Sequence, residues 1–453
     1  MMTHKKLSLF DLTMIVVSLT IGMGIFRTPV VAASNTGTPL IFFLAWLIGG
    51  LVALCGALTY AEIGSRYPVT GGYYKIFSYG YHPSLAFAIN CIILVSNAGS
   101  TALVAVIGAE YIGHFFFEGP PPEIFKQGIT IGAVAVFYII NLLGIKMSSR
   151  VQNALILIKI SLILLLLLSA FGTHPTGIAH GAAPVTEAVT SMPAFFKALG
   201  VGLIAVSFTY GGYQQTINFG GDVASPSRVM PKGITYGITI IIILYLSINF
   251  VYVKVIGFES LKHADSIAAI LINHLFGPIG ENILRVLMFL SVLAYVNVLL
   301  MSNPRVMYAM SEEGILPAAF KVRTQRHDAI IWSLTAFSLV IIITLLFTSA
   351  VEKIINYTIF LDSIGMSTSA ACIFILRKRR VGEEAGKGEI YRMKLFPLLP
   401  LVFILAYISV ATSIVLDDPR TAAYGALIFI LFLVLYFIVR RNGPKVRRPK
   451  DKY

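Results

Sequence analysis

The chain has 453 residues, 57% hydrophobic and 12% charged, with a net charge of +14 and a mean hydropathy of +0.82. Soluble domains carry roughly 25% charged residues, which excludes a soluble enzyme or binding module and points to an all-α polytopic membrane protein. The excess of Lys and Arg does not imply nucleic acid, because it is spread over short segments between apolar runs.

In chain order, the first apolar run covers 9–33. It follows "MMTHKKLSLFDL", where Lys5 and Lys6 precede it without a small-residue cleavage site, so a retained span is expected rather than a removed leader. Runs long enough for a ~30 Å hydrocarbon core recur at 40–64, 84–112, 129–146, 151–171 and 193–223. They continue at 232–256, 281–309, 329–348, 354–376, 395–415 and 422–440. About twelve transmembrane helices are predicted. The three cysteines, Cys55, Cys91 and Cys372, all fall inside apolar runs, where they read as small buried hydrophobes rather than as a disulfide framework.

The loops sort by charge. With the N-terminus inside, 26 of the 35 Lys and Arg fall on inner loops and tails, including the tract "RKRR" (377–380) and the tail "RRNGPKVRRPKDKY". Six fall outside: Arg27, Lys126, Lys254, Lys262, Lys353 and Arg420. The positive-inside rule then places both termini in the cytoplasm, at the cytoplasmic membrane, with the basic tail near anionic lipid.

Two spans carry glycines where a membrane helix is normally unbroken. The first contains "SLTIGMGIF" (18–26) and the sixth "FTYGGYQQTINFGG" (208–221). Paired interruptions at corresponding positions in two halves are the mark of a transporter built from repeats. Bare backbone at membrane depth is tolerated only beside protein or a water-filled cavity. A broken helix frees N–H groups where its second half begins and carbonyls where its first half ends. The N–H groups suit a carboxylate and the carbonyls an ammonium, the two groups of an α-amino acid. Close helix packing is the other use of such glycines.

At these motifs the chain resembles the amino acid–polyamine–organocation superfamily of transporters, and most closely its L-type amino acid transporter branch. "IGMGIF" is similar to the branch's first-span signature, and "ALTYAEIGSRYPVTGGYYKIFSYGY" (57–81) to that of the second span and first inner loop. "RVQNALILIKISLILL" (150–165) resembles the opening of the fifth span, "FTYGGYQ" (208–214) the sixth, and "NVLLMSNPRVMYAMSEEGILP" (297–317) the eighth. Met23 stands where the family usually has Ser, Tyr213 where it has Trp, and Gln214 where it has Asn.

The resemblance implies a leucine-transporter-type fold of two inverted five-helix repeats, 9–171 and 193–376, with discontinuous helices 1 and 6. A short cytoplasmic segment, 1–8, would precede them; peripheral helices, 395–440, and a basic cytoplasmic tail, 441–453, would follow. It also implies an amino acid substrate. The carboxylate would meet N–H groups of Met23 and Gly24, beside Gly22 and Ile25. The ammonium would meet carbonyls of Thr20 and Phe208, near Gly211, with Phe208 as an outer aromatic lid. Gly212 and Tyr213 would border the side-chain pocket. Asn297, with Ser96, Asn97 and Ser100, would line the cavity or bond between helices. Lys159 lies inside the fifth span and would either snorkel inward or, as the resemblance implies, bridge spans 1 and 5 in place of a sodium ion. Sodium-independent exchange or proton symport follows. Asp362, midway along the tenth span, is a pocket or proton-handling group, or a helix contact.

Eukaryotic L-type relatives are tethered to a heavy subunit through a cysteine in the loop between spans 3 and 4. Here that loop, "HFFFEGPPPEIFKQG", has none, so no disulfide-linked partner is expected. No metal-ligand spacing, nucleophile motif or cofactor signature is visible, and His114, His174, His180 and His263 fall in outer loops or span ends. An enzyme is therefore not expected. Transport of an amine, polyamine or other small organic solute, or amino acid sensing without transport, are the alternatives.

Overall fold

The computed structural model describes residues 6–22, 24–171, 191–264, 267–383 and 390–441. The described residues are helical, with two isolated β-bridges, Leu7 to Val223 and Thr70 to Phe219. The α-helices begin with α1 (Leu9–Thr20), α2 (Gly24–Thr36), α3 (Pro39–Arg66), α4 (Gly72–Gly80), α5 (Pro83–Gly113), α6 (Glu123–Leu142), α7 (Ile145–Leu168) and α8 (Met192–Thr209). They continue with α9 (Pro226–Ile256), α10 (Phe258–Leu261), α11 (Ile267–Phe276), α12 (Pro278–Glu312), α13 (Ile331–Leu345), α14 (Thr348–Lys378), α15 (Leu398–Asp417) and α16 (Pro419–Arg441).

Among the described residues nine helices are long and apolar enough to cross a membrane, or ten if the bent pair α1 and α2 counts as one span. α8 and α13 are apolar but shorter. The all-α polytopic reading holds. Of the segments expected at the chain's ends, residues 1–5 and 442–453 lie outside the described residues.

Local chemistry explains the first break. Ser8 caps α1 in a reciprocal box: its hydroxyl accepts from the Asp11 N–H, and the Asp11 carboxylate accepts from the Ser8 N–H at 2.9 Å. α1 stops at Thr20, and α2 restarts at Gly24 with a bend of 45°. Pro29 inside α2 has no N–H to give to the Ile25 carbonyl one turn earlier, and the Tyr252 hydroxyl donates to that carbonyl instead, at 3.4 Å. Pro231 in α9 is compensated the same way, by Ser65 donating to the Ser227 carbonyl at 3.3 Å. Such rescues are what a membrane interior demands of a helix proline.

The second break takes a different form from the one expected. α8 ends at Thr209, and the chain continues as 3-10 helix over Tyr213–Asn218 and Gly220–Asp222 rather than as a second α-helical half. Gly212 turns the corner with φ +103, a region closed to side chains with a Cβ.

One end of the bundle is tied by charge. Asp222 pairs with Arg305 at 2.7 Å and Arg323 at 3.3 Å, and Arg323 also reaches Asp328 and Thr70. Leu7 pairs in extended fashion with Asp222 and Ala224, and Asp11 bonds Lys146 and Asn153. Glu62, fully buried, accepts from Arg66, Arg377 and the Met393 N–H.

Candidate functional site

Residues from both breaks open onto one cavity of about 760 Å³, within the range of small-molecule sites. Thr20, Gly22 and Gly24 border it from the first break, Gly211 and Gly212 from the second, and Ser96, Asn97 and Ser100 from α5. Asp362 on α14 also faces it.

The backbone at the breaks is partly committed. Tyr245 on α9 is held between Trp46 and Tyr210, with ring centroids 5.8 and 5.1 Å away. Its hydroxyl lies 3.2 Å from the Thr20 carbonyl and 3.3 Å from the Thr209 carbonyl, the last residues of α1 and α8. The Thr20 carbonyl also accepts from the Gly22 N–H at 2.9 Å. Lys159 is buried and donates to the Ile21 carbonyl at 2.7 Å. Its ammonium therefore bridges α7 to the break without lining the cavity. The Gly212 N–H donates to Gln214 Oε1 at 2.8 Å. What remains open at the first break is the N-terminus of α2, whose leading N–H groups have no carbonyl one turn back.

The amides beside the second break form a second layer. Gln215 Oε1 accepts from Asn97 Nδ2 at 3.3 Å and from Ser302 Oγ at 3.5 Å, and Asn97 Nδ2 also donates to Asn303 at 2.7 Å. Both glutamines line the cavity. With their oxygens engaged, they have N–H groups left for a ligand.

Several expected residues lie elsewhere. Ile25 is buried away from the cavity. Asn297 is buried in a network, donating to Gln152 Oε1 at 2.6 Å and accepting from Asn141 Nδ2 at 3.0 Å. Gln152 in turn donates to Ser18 at 2.5 Å and to the Ala294 carbonyl at 3.0 Å, so Asn297 joins α12, α6, α7 and α1. Tyr213 packs against Tyr60, and its hydroxyl sits against Gly56. Met23 and the side chain of Phe208 lie outside the described residues. Of the groups that sequence reasoning missed, Tyr245 left no local signal. Gln215 carried one, adjacent to Gln214, which stands in the family's Asn position two residues past the Gly-Gly break.

The Tyr213 hydroxyl is buried with no hydrogen-bond partner among the described residues, which costs free energy. Tyr213→Phe is therefore expected to raise the thermal midpoint of the detergent-solubilised protein, by up to about 1–2 kcal/mol of stability, and to keep transport. Loss of transport at an unchanged midpoint would give the hydroxyl a role in the site.

A family model described as amino acid permease matches residues 7–449. The chain belongs to the amino acid permease family. It is thus a permease, as expected, and not an enzyme. The permease is 28% identical to the serine/threonine exchanger SteT of Bacillus subtilis, over 96% of both chains. It is 27% identical to solute carrier family 7 member 12 of Mus musculus, over 72% of this chain and 70% of the relative. It is 23% identical to the human large neutral amino acids transporter small subunit 2, over 96% and 80%. The expected resemblance to the superfamily and its L-type relatives holds. The permease is an integral membrane protein, carrying the apolar helices described above.

Proposed function

We propose that this permease is a secondary transporter that moves neutral amino acids across the cytoplasmic membrane by alternating access, independently of sodium, as an exchanger or a proton symporter. The observation that carries this is the single cavity bordered by both interrupted spans, Gly22 and Gly24 on one side and Gly211 and Gly212 on the other.

The substrate carboxylate binds at the N-terminus of α2, at the N–H groups of Met23 and Gly24 with Ile25 behind. Dipole and unpaired donors favour an anion there. The ammonium turns to the carbonyl end of α8, at Phe208 and Gly211, because the Thr20 carbonyl already has two donors. Gln214, Gln215 and Asn97 face the side chain. Amides without a basic partner suit a neutral substrate, in keeping with the names of the exchanger and of the large neutral amino acid transporter reported above.

The reading extends to topology. Twelve spans, with 9–171 and 193–376 as inverted repeats and both termini cytoplasmic, agree with the charge count of the loops. The charge layer of Asp222, Arg305 and Arg323 then closes the cytoplasmic side. Cys55, Cys91 and Cys372 are free thiols on α3, α5 and α14, and none lies in the loop between spans 3 and 4, so the transporter works without a disulfide-linked heavy subunit.

Counterflow in proteoliposomes tests the site. Free amino acids are expected to compete with labelled substrate at least about tenfold better than their methyl esters, since a hydrogen bond to a charged group contributes about 1.5–3 kcal/mol. Equal competition would remove the N–H site, and absence of counterflow would leave a sensor.

A further inference from the structure

The two breaks account for the cavity's backbone and amides but not for Asp362. It stands near the middle of α14 (Thr348–Lys378), and among the described residues bordering the cavity it is the only Asp, Glu, Lys, Arg or His. No hydrogen bond or ion pair to it is found among the described residues. Every other acid just described inside the bundle is paired: Glu62 with two arginines, Asp222 with two, Asp11 with Lys146. An unpaired carboxylate at membrane depth is costly as an anion, so a transporter that keeps one has a use for its neutralisation.

The surroundings select the cation. α5 presents Leu85 and Ile89 to the cavity, and α16 presents Ala426 and Phe429. The titratable groups that feel the Asp362 charge are phenols, Tyr73 on α4 and Tyr407 on α15. On α3, Tyr60 is bonded to Ser369, two turns further along α14. α13 carries no ionisable side chain, and the Lys159 ammonium is turned to Ile21. A sodium or potassium ion would require a shell of several oxygens gathered at one point, as other hard cations do, whereas Asp362 has no hydrogen-bonding oxygen against it among the described residues and a proton needs only the carboxylate itself.

We propose that Asp362 carries the proton of a proton–amino acid symport, an inference that rests on the amino acid carrier reading above. The carboxylate takes a proton from water on the side to which the cavity is open. The neutral acid moves through the reorientation without the desolvation cost of an anion, and the proton returns to water on the other side. Nothing else is oxidised, reduced or transferred.

The test uses the full chain in proteoliposomes, with a radiolabelled mixture of the twenty L-amino acids as probe. Counterflow without a pH gradient reports on the carrier. Accumulation driven by a one-unit gradient, acid outside, reports on coupling. Wild type is expected to show counterflow that varies with pH and accumulation approaching tenfold, the limit for one proton per solute, collapsed by a protonophore. Asp362→Asn is expected to lose gradient-driven accumulation and to exchange at a rate that no longer varies with pH. Counterflow without accumulation in wild type overturns the proton role and leaves the carrier reading intact. No counterflow in wild type defeats the carrier reading itself. Accumulation by Asp362→Asn equal to wild type also overturns the proposal, as does loss of counterflow in that variant at an unchanged thermal midpoint, which would make Asp362 a substrate ligand. If the Asn variant does not fold, Asp362→Glu decides: accumulation with a displaced pH profile supports the proton role, and an unaltered profile overturns it.

Discussion

Lys159→Ala is expected to yield a folded protein that no longer exchanges amino acids, or exchanges them without coupling. The argument starts from where the ammonium sits. Its Nζ lies 2.7 Å from the Ile21 carbonyl, at the C-cap of α1, one residue before Gly22 opens to the cavity. A charged hydrogen bond of this kind contributes about 1.5–3 kcal/mol, or more than a tenfold change in the population of the geometry it holds. Without it the Ile21 carbonyl loses its donor, and of the side-chain hydrogen bonds from α7 to the end of α1 described above only Gln152 to Ser18 remains. Most of the protein's stability lies in apolar packing that this substitution leaves in place, so the fold survives. Counterflow is expected to fall at least about tenfold on that bond's free energy, with size-exclusion profile and thermal midpoint close to wild type. Lys159→Met is the control for lost volume, because it keeps an unbranched side chain while removing the charge, and it is expected to behave like Ala. Wild-type rates are expected to be the same in sodium and choline buffers if transport is independent of sodium, as proposed above. Full activity of Lys159→Ala would reduce the residue to a packing anchor.

What the sequence disclosed follows the physics of a membrane. Apolar length and the placement of Lys and Arg are imposed by the bilayer on any spanning segment, so most of the spans could be located, with ends that differ by several residues from those of the helices. Gly22, Gly24, Gly211 and Gly212 were legible because an interrupted helix at membrane depth has few uses. The face of a helix was harder to read. Asn297 and Ser96 both sit in apolar runs, but only Ser96 borders the cavity; Asn297 turns to Gln152 and Asn141. A difference of about 100° in helical angle decides this, and hydropathy does not carry it when a helix is apolar all round. The resemblance implies a place for Tyr213 at the pocket, whereas the 3-10 geometry of Tyr213–Asn218 turns its ring toward Tyr60. The shared hydroxyl of Tyr245 depends on α9 meeting the ends of both α1 and α8, and no local pattern encodes that meeting. Glu62 and Arg377 are 315 positions apart, and no local pattern encodes their pairing.

Two glycines of the breaks are expected to respond in opposite ways to the same added methyl group. At Gly212 a Cβ would stand 2.1 Å from the Leu19 carbonyl oxygen, a backbone atom that cannot swing aside, and the φ of +103 is itself unfavourable for any other residue. Residues held in such conformations cost about 1–3 kcal/mol, and overpacking adds about 1–3 kcal/mol more. The relief available is separation of the second break from the last turn of α1, which dismantles the contact between the two interrupted spans. Gly212→Ala is therefore expected to lower the thermal midpoint and to reduce counterflow to background. At Gly22 a Cβ meets nothing within 4 Å, and its φ is not in the left-handed region. Since Gly22 borders the cavity, the methyl group occupies space meant for a solute rather than for protein. Gly22→Ala is expected to leave the midpoint unchanged while raising the apparent KM for exchange. A Gly22→Ala protein with normal KM would show that this stretch of the first break is not where the amino acid lies, whatever the helices around it do.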